Sequence, residues 1–323
     1  MPRAATPTSG TERAGRRASA VAPASAVTIA GVRITHPERV LFEELGLTKQ
    51  ALAEYYEAVS EHLLPDLRNR PLSLVRCPQG PGEGCFFQKH IDAAWSEEIE
   101  RVTIPQSDGE GIYAIANTTA AVMGLVQKGV IELHVWGSTT RDLAKPDRMV
   151  FDLDPDPLVP WREVMAATRR VRERVEDLGL DAFLKTSGGK GLHVMVPLAP
   201  KHEWDEVKEF SRALAESLAT EDPRLFTTKA SKKERPRRIF IDYLRNAPGA
   251  TTVAAYSVRA RRGAPVSTPL HWDELGGRMK PASFHVGTVA RRLQGLRSDP
   301  WKAFRRKSQT ITAAMKRKLG IEA

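Results

Sequence analysis

The segment Met149-Val150-Phe151-Asp152-Leu153-Asp154-Pro155 is an apolar stretch that ends in two acids two positions apart. Because successive side chains of a strand point to opposite faces, Asp152 and Asp154 share one face, while Phe151 and Leu153 point into a core on the other. Acids at a strand end also commonly begin turns, and Asp-Pro is a frequent turn pair. The segment predicts a buried strand that presents two carboxylates on one face.

A second apolar segment, residues 239–243, delivers one more acid, Asp242, among basic residues. Three carboxylates can hold two hard divalent cations, one to activate a 3′ hydroxyl and one to neutralise a triphosphate and its leaving pyrophosphate. The competing interpretation of Asp242 is a salt bridge to a neighbour such as Arg238 or Arg245. Spacing alone leaves both interpretations open.

Residues 186–193, Thr-Ser-Gly-Gly-Lys-Gly-Leu-His, lie between two predicted strands. Glycines let backbone N–H groups turn towards an anion, and Ser187, Lys190 and His193 can add side-chain donors, which together predict a phosphate-binding loop. The loop is not a P-loop, because the Lys-Ser/Thr ending is absent and a strand follows it. An ordinary glycine turn in a hairpin is the alternative.

Aromatic and histidine side chains mark two further strands. Phe86 and Phe87 precede Lys89, so one ring can stack on a base while the lysine lies near a backbone phosphate. A phenylalanine in each of two core layers explains the pair equally well. His134 lies on a strand with apolar neighbours, where a lone histidine is usually a core residue with its hydrogen bonds satisfied.

The formal net charge is +10 and the pI is about 9.7, which favours an anionic partner, nucleic acid first. The excess is concentrated between Arg224 and Arg262, where eleven lysines or arginines face only Glu234 and Asp242. A solvated basic face is the simpler interpretation. Interleaved aromatic residues favour contact with a polyanion.

The pattern along the chain predicts an α+β fold with a largely antiparallel sheet backed by helices. Thr48 is the predicted N-cap of a helix that runs to about residue 62. Further helices are expected at 118–128, 161–178 and 203–219, with a surface helix at 301–319. Strands are expected at 72–76, 85–89, 100–104, 112–115, 131–136, 148–154, 182–186, 192–197, 225–229 and 238–243.

Three further expectations concern the N-terminal segment, the cellular location and the cysteines. Residues 1–26 are rich in Ala, Ser, Thr, Pro and Arg, which predicts a disordered tail or linker before a domain at 27–323, although a transit peptide has a similar composition. No run of residues is long and apolar enough for a membrane span, so an intracellular protein is expected. Cys77 and Cys85 are expected to be reduced thiols, with a zinc site including His90 as the weaker alternative.

In this order and spacing, Phe-Asp-Leu-Asp-Pro (151–155), Thr-Ser-Gly-Gly-Lys-Gly-Leu-His (186–193) and Phe-Ile-Asp-Tyr (240–243) resemble the three motifs of archaeo-eukaryotic primase-type polymerases. More narrowly, the chain from about residue 32 to 319 is similar to the polymerase module of bacterial ATP-dependent DNA ligase D, an end-joining repair enzyme that works with Ku. The resemblance implies a primase-polymerase fold and a nucleotidyltransferase that extends a 3′ end at gaps or breaks whose downstream strand carries a 5′ phosphate. It also implies a cytoplasmic, nucleoid-associated bacterial protein.

The resemblance implies a role for each motif residue. The catalytic metal ligands would be Asp152, Asp154 and Asp242, holding two Mn²⁺ or Mg²⁺ ions. Ser187, Lys190 and His193 would bind the triphosphate of the incoming NTP or dNTP. Arg245 and Arg259 would help to hold the nucleotide, and His134 would lie near the primer terminus or metal. The DNA-binding residues would be Arg39, Lys49, Phe86, Phe87 and Lys89, with Arg39 and Lys49 in a pocket for the 5′ phosphate. Some relatives have lysine where Arg39 stands, but a guanidinium also binds phosphate.

Two other functions remain open from the sequence. A primase would start strands without a primer, and a non-catalytic scaffold would bridge DNA ends through its basic surface. The sequence contains no Lys-x-Asp-Gly adenylation motif, so sealing of the joined strand would need a separate DNA ligase domain or protein.

Overall fold

The computed structural model describes residues 25–107, 109–277 and 279–322, which contain sixteen strands and seven α-helices. The strands are Ala26–Ile29 (β1), Val32–Thr35 (β2), Val40–Phe42 (β3), Leu47–Thr48 (β4), Leu72–Arg76 (β5), Phe86–Gln88 (β6), Glu100–Gln106 (β7), Gly109–Ile115 (β8), Val130–Trp136 (β9), Arg148–Pro155 (β10), Phe183–Thr186 (β11), Leu192–Pro197 (β12), Phe226–Thr227 (β13), Ile239–Asp242 (β14), Thr251–Val253 (β15) and Pro269–Leu270 (β16). The helices are Lys49–Ala58 (α1), Ser60–Leu67 (α2), Thr119–Gln127 (α3), Trp161–Asp177 (α4), Trp204–Glu221 (α5), Val286–Gly295 (α6) and Ala313–Lys318 (α7).

The first large sheet has the strand order β15-β9-β5-β8-β7, with β6 paired to β5, and all of its pairs are antiparallel. Helices α1 and α3 pack against each other, and α3 packs on β9. Leu52 and Tyr56 of α1 are buried in the same core as Val122 and Leu125 of α3. This sheet is therefore covered on one face by helices, which leaves its other face for contact with the rest of the molecule.

The second large sheet has the order β13-β14-β10-β12-β11-β16, and only β13 and β14 pair in parallel. Helices α4 and α5 pack on β10, and Phe151 and Leu153 are fully buried in their core. Val150 points the other way and belongs to the core of the first sheet. By the alternation of a strand, Asp152 and Asp154 also face the first sheet.

Most of the fold predicted from sequence is confirmed, including the α+β class and the largely antiparallel sheets. The Thr48 side chain accepts a hydrogen bond from the Ala51 amide, as expected of an N-cap, although the helix ends at Ala58 and α2 follows. The surface helix expected at 301–319 is wrong. Trp301 is buried with Phe304 stacked on it, so apolar packing fixes turns there and only α7 is helical.

The expectation of reduced cysteines is also wrong, because Cys77 and Cys85 form a disulfide that closes the turn between β5 and β6. Composition could not reveal this, since the two residues meet only when β6 folds back antiparallel on β5. Within the described residues, no helix is long and apolar enough to cross a membrane. The tail predicted at 1–26 lies almost entirely outside the described residues.

Candidate active site

Three aspartates lie on the paired strands β10 and β14. In the antiparallel register Asp152 is directly opposite Asp242, and Asp154 is opposite Phe240. Direct partners in a sheet point to the same face, so the two aspartates that are far apart in sequence are neighbours in space. The side chains of Asp152 and Asp242 are mostly buried, whereas that of Asp154 is 38% exposed.

The row of polar residues continues across the sheet. His193 of β12 is opposite Asp152, and Lys185 of β11 is opposite His193. The His193 ring places Nε2 3.3 Å from Asp152 Oδ1. Lys185 is 1% exposed and its ammonium donates to the Val253 carbonyl at 2.8 Å, which joins this sheet to β15 of the first sheet. Four adjacent strands thus present one line of ionisable groups towards the cleft between the sheets.

The two opposed aspartates have different electrostatic environments. Burial opposes ionisation of Asp152, but His193 and Arg245 outweigh it and lower its pKa to about 2. Burial, with the nearby Asp152 charge, raises the pKa of Asp242 even though Arg245 acts against it. Burial and the Lys185 charge lower the pKa of His193 to about 4, so its ring is neutral at pH 7. Asp242 therefore carries an electrostatic cost that a nearby cation would relieve.

Long basic side chains neutralise the carboxylates in this structure. Asp154 is paired with Arg235 Nη1 at 2.7 Å and with Lys190 Nζ at 3.0 Å. Arg245 Nε lies 3.0 Å from Asp242 and 3.7 Å from Asp152. Among the described residues, no three His, Cys, Asp or Glu side chains are grouped as a ready-made metal site.

The donor set nevertheless fits divalent cations. Carboxylate oxygens are the ligands that hard ions such as Mg²⁺ and Mn²⁺ prefer, and Asp152 and Asp242 are adjacent. The neighbouring cations are the side chains of Lys190, Arg235 and Arg245, whose charges compensate the carboxylates in this structure.

The glycine-rich loop joins β11 to β12 beside the carboxylates. Ser187 is buried, and its Oγ accepts from the amides of Gly189 and Gly191 at 3.2 and 3.3 Å. A Cβ at Gly191 would lie 2.2 Å from the Leu153 carbonyl oxygen, so only glycine lets the loop approach β10 this closely. The loop therefore packs directly against the strand that carries Asp152.

Arg259, in the segment that follows β15, contacts the same loop and shares a partner with His134 of β9. Arg259 Nη1 donates to the Ser187 carbonyl at 2.5 Å and its Nε donates to Glu132 at 2.9 Å. His134 Nε2 lies 2.7 Å from the same Glu132 oxygen. Glu132 was not identified from the sequence, although its position two residues before His134 on a strand places both on one face.

A cavity of about 280 Å³ opens between these groups. All residues predicted to hold metal or nucleotide line it, namely Asp152, Asp154, Asp242, Ser187, Lys190, His193, Arg245, Arg259 and His134. Arg235, Arg261 and Thr252 also line it and were not singled out in the sequence. The cavity walls are mainly polar and basic, as expected of a site for a polyanionic ligand.

The predicted template residues lie beside this cavity. Phe86 and Phe87 are 48% and 50% exposed, so they are not the core residues of the alternative interpretation. The Phe87 ring packs edge-on against His134 with centroids 5.7 Å apart, and the Arg76 guanidinium lies 5.2 Å from the Phe86 centroid. Lys89 is exposed just beyond them.

Arg39 and Lys49 lie together in a separate cavity of about 210 Å³, which Arg76 and Lys128 also line. Lys49 is 6% exposed and its ammonium donates to Gln127 Oε1 at 2.8 Å and to two backbone carbonyls. Arg39 donates to the Pro78 carbonyl at 2.8 Å. Burial, with the charge of Arg39, lowers the pKa of Lys49 to about 8. The predicted pair is thus brought together, with Lys49 tightly held.

Two largely antiparallel sheets, with paired aspartates beside a glycine-rich loop, define the chain as a primase-polymerase type of domain. A family model described as the LigD primase-polymerase domain matches residues 48–301, and the chain belongs to that family. It is 43% identical over 309 residues, 95% of the chain, to the multifunctional non-homologous end joining protein LigD of Pseudomonas aeruginosa. It is 33% identical over 76% of its length to the LigD protein of Mycolicibacterium smegmatis.

The chain covers 36% and 32% of those two relatives, so it corresponds to about a third of each protein. Among solved structures it is similar to the polymerase domain of Mycobacterium tuberculosis ligase D in complex with DNA. That match has a TM-score of 0.79 and 27% sequence identity, and it covers 86% of this chain and 99% of the other. The fold and family that the motifs predicted are confirmed.

Proposed function

We propose that this chain is a template-dependent nucleotidyltransferase that extends a DNA 3′ end at gaps or breaks whose downstream strand carries a 5′ phosphate. The observation that carries the proposal is the opposition of Asp152 and Asp242 across β10 and β14, beside the glycine-rich loop. Family membership supports it, since the relatives are named as end-joining proteins. Its cellular role would be non-homologous end joining in bacteria, with Ku and a DNA ligase domain as partners.

Asp152, Asp154 and Asp242 are the residues that would hold two divalent cations, Mn²⁺ or Mg²⁺. Such ions would lower the pKa of the primer 3′ hydroxyl and neutralise charge on the triphosphate. The reaction joins the 3′ oxygen to the α-phosphorus, breaks the bond from that phosphorus to pyrophosphate and releases the hydroxyl proton to water. The aspartates are ligands in this proposal, and no protein general base is required of them.

The basic residues around the cavity would bind the triphosphate. Lys190 and Arg245 now pair with the carboxylates and would turn to phosphate oxygens when nucleotide and metal enter. Arg259 and Ser187 hold each other through the Ser187 carbonyl, which fixes one wall of the site. His193 is neutral and buried behind Asp152, so it would orient that carboxylate without adding charge.

DNA would lie along the exposed aromatic side of the cavity. Phe86 or Phe87 would stack on the templating base, and Lys89 would contact the template backbone. Arg39 and Lys49 would bind the 5′ phosphate of the downstream strand, because they share one small cavity that two further basic residues also line. The solved relative is a complex with DNA, which supports this use of the surface.

Primer extension separates this function from its alternatives. The substrates are a gapped duplex with a downstream 5′ phosphate, the same duplex without that phosphate, and an unprimed single strand, each with ribo- or deoxynucleotides and Mn²⁺ or Mg²⁺. We expect templated addition on the gapped duplex, strongest with the 5′ phosphate. Oligomers made on the unprimed strand would indicate a primase. DNA binding without any incorporation would indicate a non-catalytic end-bridging protein.

A further inference from the structure

Glu132 is a buried carboxylate with no place in the proposed chemistry. It lies on β9, is 5% exposed, and accepts three hydrogen bonds. Oε2 accepts from Arg259 Nε at 2.9 Å and contacts His134 Nε2 at 2.7 Å, and Oε1 accepts from the Ala260 amide at 2.8 Å. A single side chain thus contacts two of the residues that line the cavity between the sheets.

The contact with Glu132 determines which nitrogen of His134 carries the proton. An ionised carboxylate can only accept, so the ring nitrogen facing it must be a donor, and His134 has Nε2–H. Burial lowers the pKa of His134, which keeps its ring neutral and leaves Nδ1 without a proton. Burial opposes ionisation of Glu132, yet His134 and Arg259 bring its pKa to about 2. His134 therefore presents a lone pair on Nδ1, as histidines backed by a carboxylate do elsewhere.

The second branch from Glu132 reaches the glycine-rich loop. Arg259 uses Nε for Glu132 and Nη1 for the Ser187 carbonyl, so its guanidinium is fixed at two points. A Cβ at Gly188 would lie 2.6 Å from Arg259 Cγ, which shows how closely the loop packs on this side chain. A displacement of the Glu132 carboxylate would therefore affect the His134 ring directly and the glycine-rich loop through Arg259.

We infer that Glu132 is a positioning residue that fixes the His134 tautomer and the Arg259 guanidinium, and so couples the two walls of the nucleotide site. The inference rests on the proposed function only for its catalytic consequence. The tautomer itself is a property of the free protein. Glu132 would not touch the nucleotide, and its effect would pass through His134 Nδ1 and the loop at Ser187.

Asp66 provides a matched control, because it separates the effect of losing a buried carboxylate on stability from the effect on His134. Asp66 is also a buried carboxylate, 4% exposed, that accepts from an arginine, Arg148, and from a backbone amide, that of Ala255. Its partners do not include His134. Asp66→Asn should therefore lower the melting temperature as much as Glu132→Gln does, or more, without altering the histidine.

The experiment is ¹⁵N NMR of protein labelled at histidine, without nucleotide or metal, with the His134 ring assigned from its loss in His134→Gln. The parent protein and Asp66→Asn should show a protonated Nε2 and an unprotonated Nδ1. Glu132→Gln should show a redistributed or averaged proton, because an amide can donate as well as accept. Arg259→Lys should keep the parent tautomer, since it leaves the carboxylate in place.

The same variants are then compared in primer extension. Glu132→Gln should lower kcat/KM about tenfold or more, as expected for a lost buried hydrogen bond to a charged group. Asp66→Asn should change kcat/KM less than threefold at a temperature where it is folded. A His134 spectrum unchanged in Glu132→Gln, or equal losses of kcat/KM in the two variants, would overturn the inference. A parent protein that shows the expected tautomer but never extends a primer would refute the proposed function alone.

Discussion

Asp152 and Asp242 are separated by ninety residues of sequence and are direct partners across two antiparallel strands. Their mutual repulsion is visible in their electrostatics, since burial and the Asp152 charge raise the pKa of Asp242 while His193 and Arg245 keep Asp152 ionised. Two opposed, mostly buried carboxylates repel each other when both are ionised, and a divalent cation bound by both would offset that repulsion.

A first prediction concerns metal and pH. Because the folded pKa of Asp242 is above its ordinary value of 3.8, its contribution to stability is present at low pH and is lost as pH rises through the raised pKa. Mn²⁺ should restore stability at pH 7, by about 2.7 kcal/mol at a hundredfold excess over Kd, and much less at pH 4. Thermal melts at both pH values, with and without Mn²⁺, measure this.

Two variants control that experiment. Asp242→Asn should abolish the gain from Mn²⁺ and should not lower stability at pH 7 in its absence, because it removes the repulsion. Asp156 lies just beyond the same strand, and its Oδ1 accepts a hydrogen bond from the Leu158 amide. Asp156→Asn keeps this oxygen, so the variant should respond to Mn²⁺ like the parent. An equal Mn²⁺ response in the parent and Asp242→Asn would exclude metal binding at the aspartates.

A second prediction concerns the exposed aromatic pair. Replacing Phe86 or Phe87 with Ala should weaken binding of a template overhang by about 1 to 3 kcal/mol, the usual contribution of base stacking. Phe87→Ala should also reduce kcat, since its ring packs against His134. Fluorescence anisotropy and single-turnover extension measure the two effects. Leu158→Ala, at a side chain 65% exposed, is the matched control, and a loss as large as that of the phenylalanines would argue against stacking.

A third prediction concerns the cavity of Arg39 and Lys49. The pKa of Lys49 is about 8, so its charge is lost between pH 7 and 9, whereas a 5′ phosphate stays doubly ionised there. The preference for a 5′-phosphorylated downstream strand should therefore decline over this range. Lys49→Met should lower the preference at pH 7 and remove its dependence on pH, while Lys201→Met, at an exposed lysine, should leave both unchanged. A preference that is constant from pH 7 to 9 in the parent would contradict a role for Lys49.

A fourth prediction concerns the disulfide. Cys77 and Cys85 are eight residues apart, and a bridge across a loop of this length should contribute about 2 kcal/mol to the free energy of unfolding. Urea denaturation with and without dithiothreitol measures the difference. The double variant Cys77→Ser, Cys85→Ser should match the reduced protein and ignore the reductant. Equal unfolding free energies for oxidised and reduced protein would show that the bridge does not stabilise the loop.

Local patterns in the sequence were sufficient for the strand carrying Asp152 and Asp154, the N-cap Thr48 and the glycine-rich loop. Each depends on residues that are close in sequence, where strand alternation and turn chemistry act directly. The motif match, and not periodicity, brought Asp242 into the same site. Periodicity cannot fix a cross-strand register between segments ninety residues apart.

The features that the sequence did not reveal depend on tertiary contacts. Glu132 is a single acid in an apolar strand, and its role appears only when Arg259 arrives from a distant loop. Trp301 begins a segment with a helical pattern, but burial of its ring against Phe304 and its hydrogen bond to the Leu184 carbonyl override that preference. The disulfide likewise depends on the pairing of β5 with β6.

The catalytic role of Asp152 and Asp242 can be measured by single-turnover extension of a gapped, 5′-phosphorylated duplex in Mn²⁺, with DNA affinity measured in parallel. We expect templated addition by the parent and by Asp156→Asn. We expect no detectable addition by Asp152→Asn or Asp242→Asn, with the DNA Kd of both within about threefold of the parent. Extension at the parent rate by either aspartate variant would contradict the assignment of these residues as the catalytic centre.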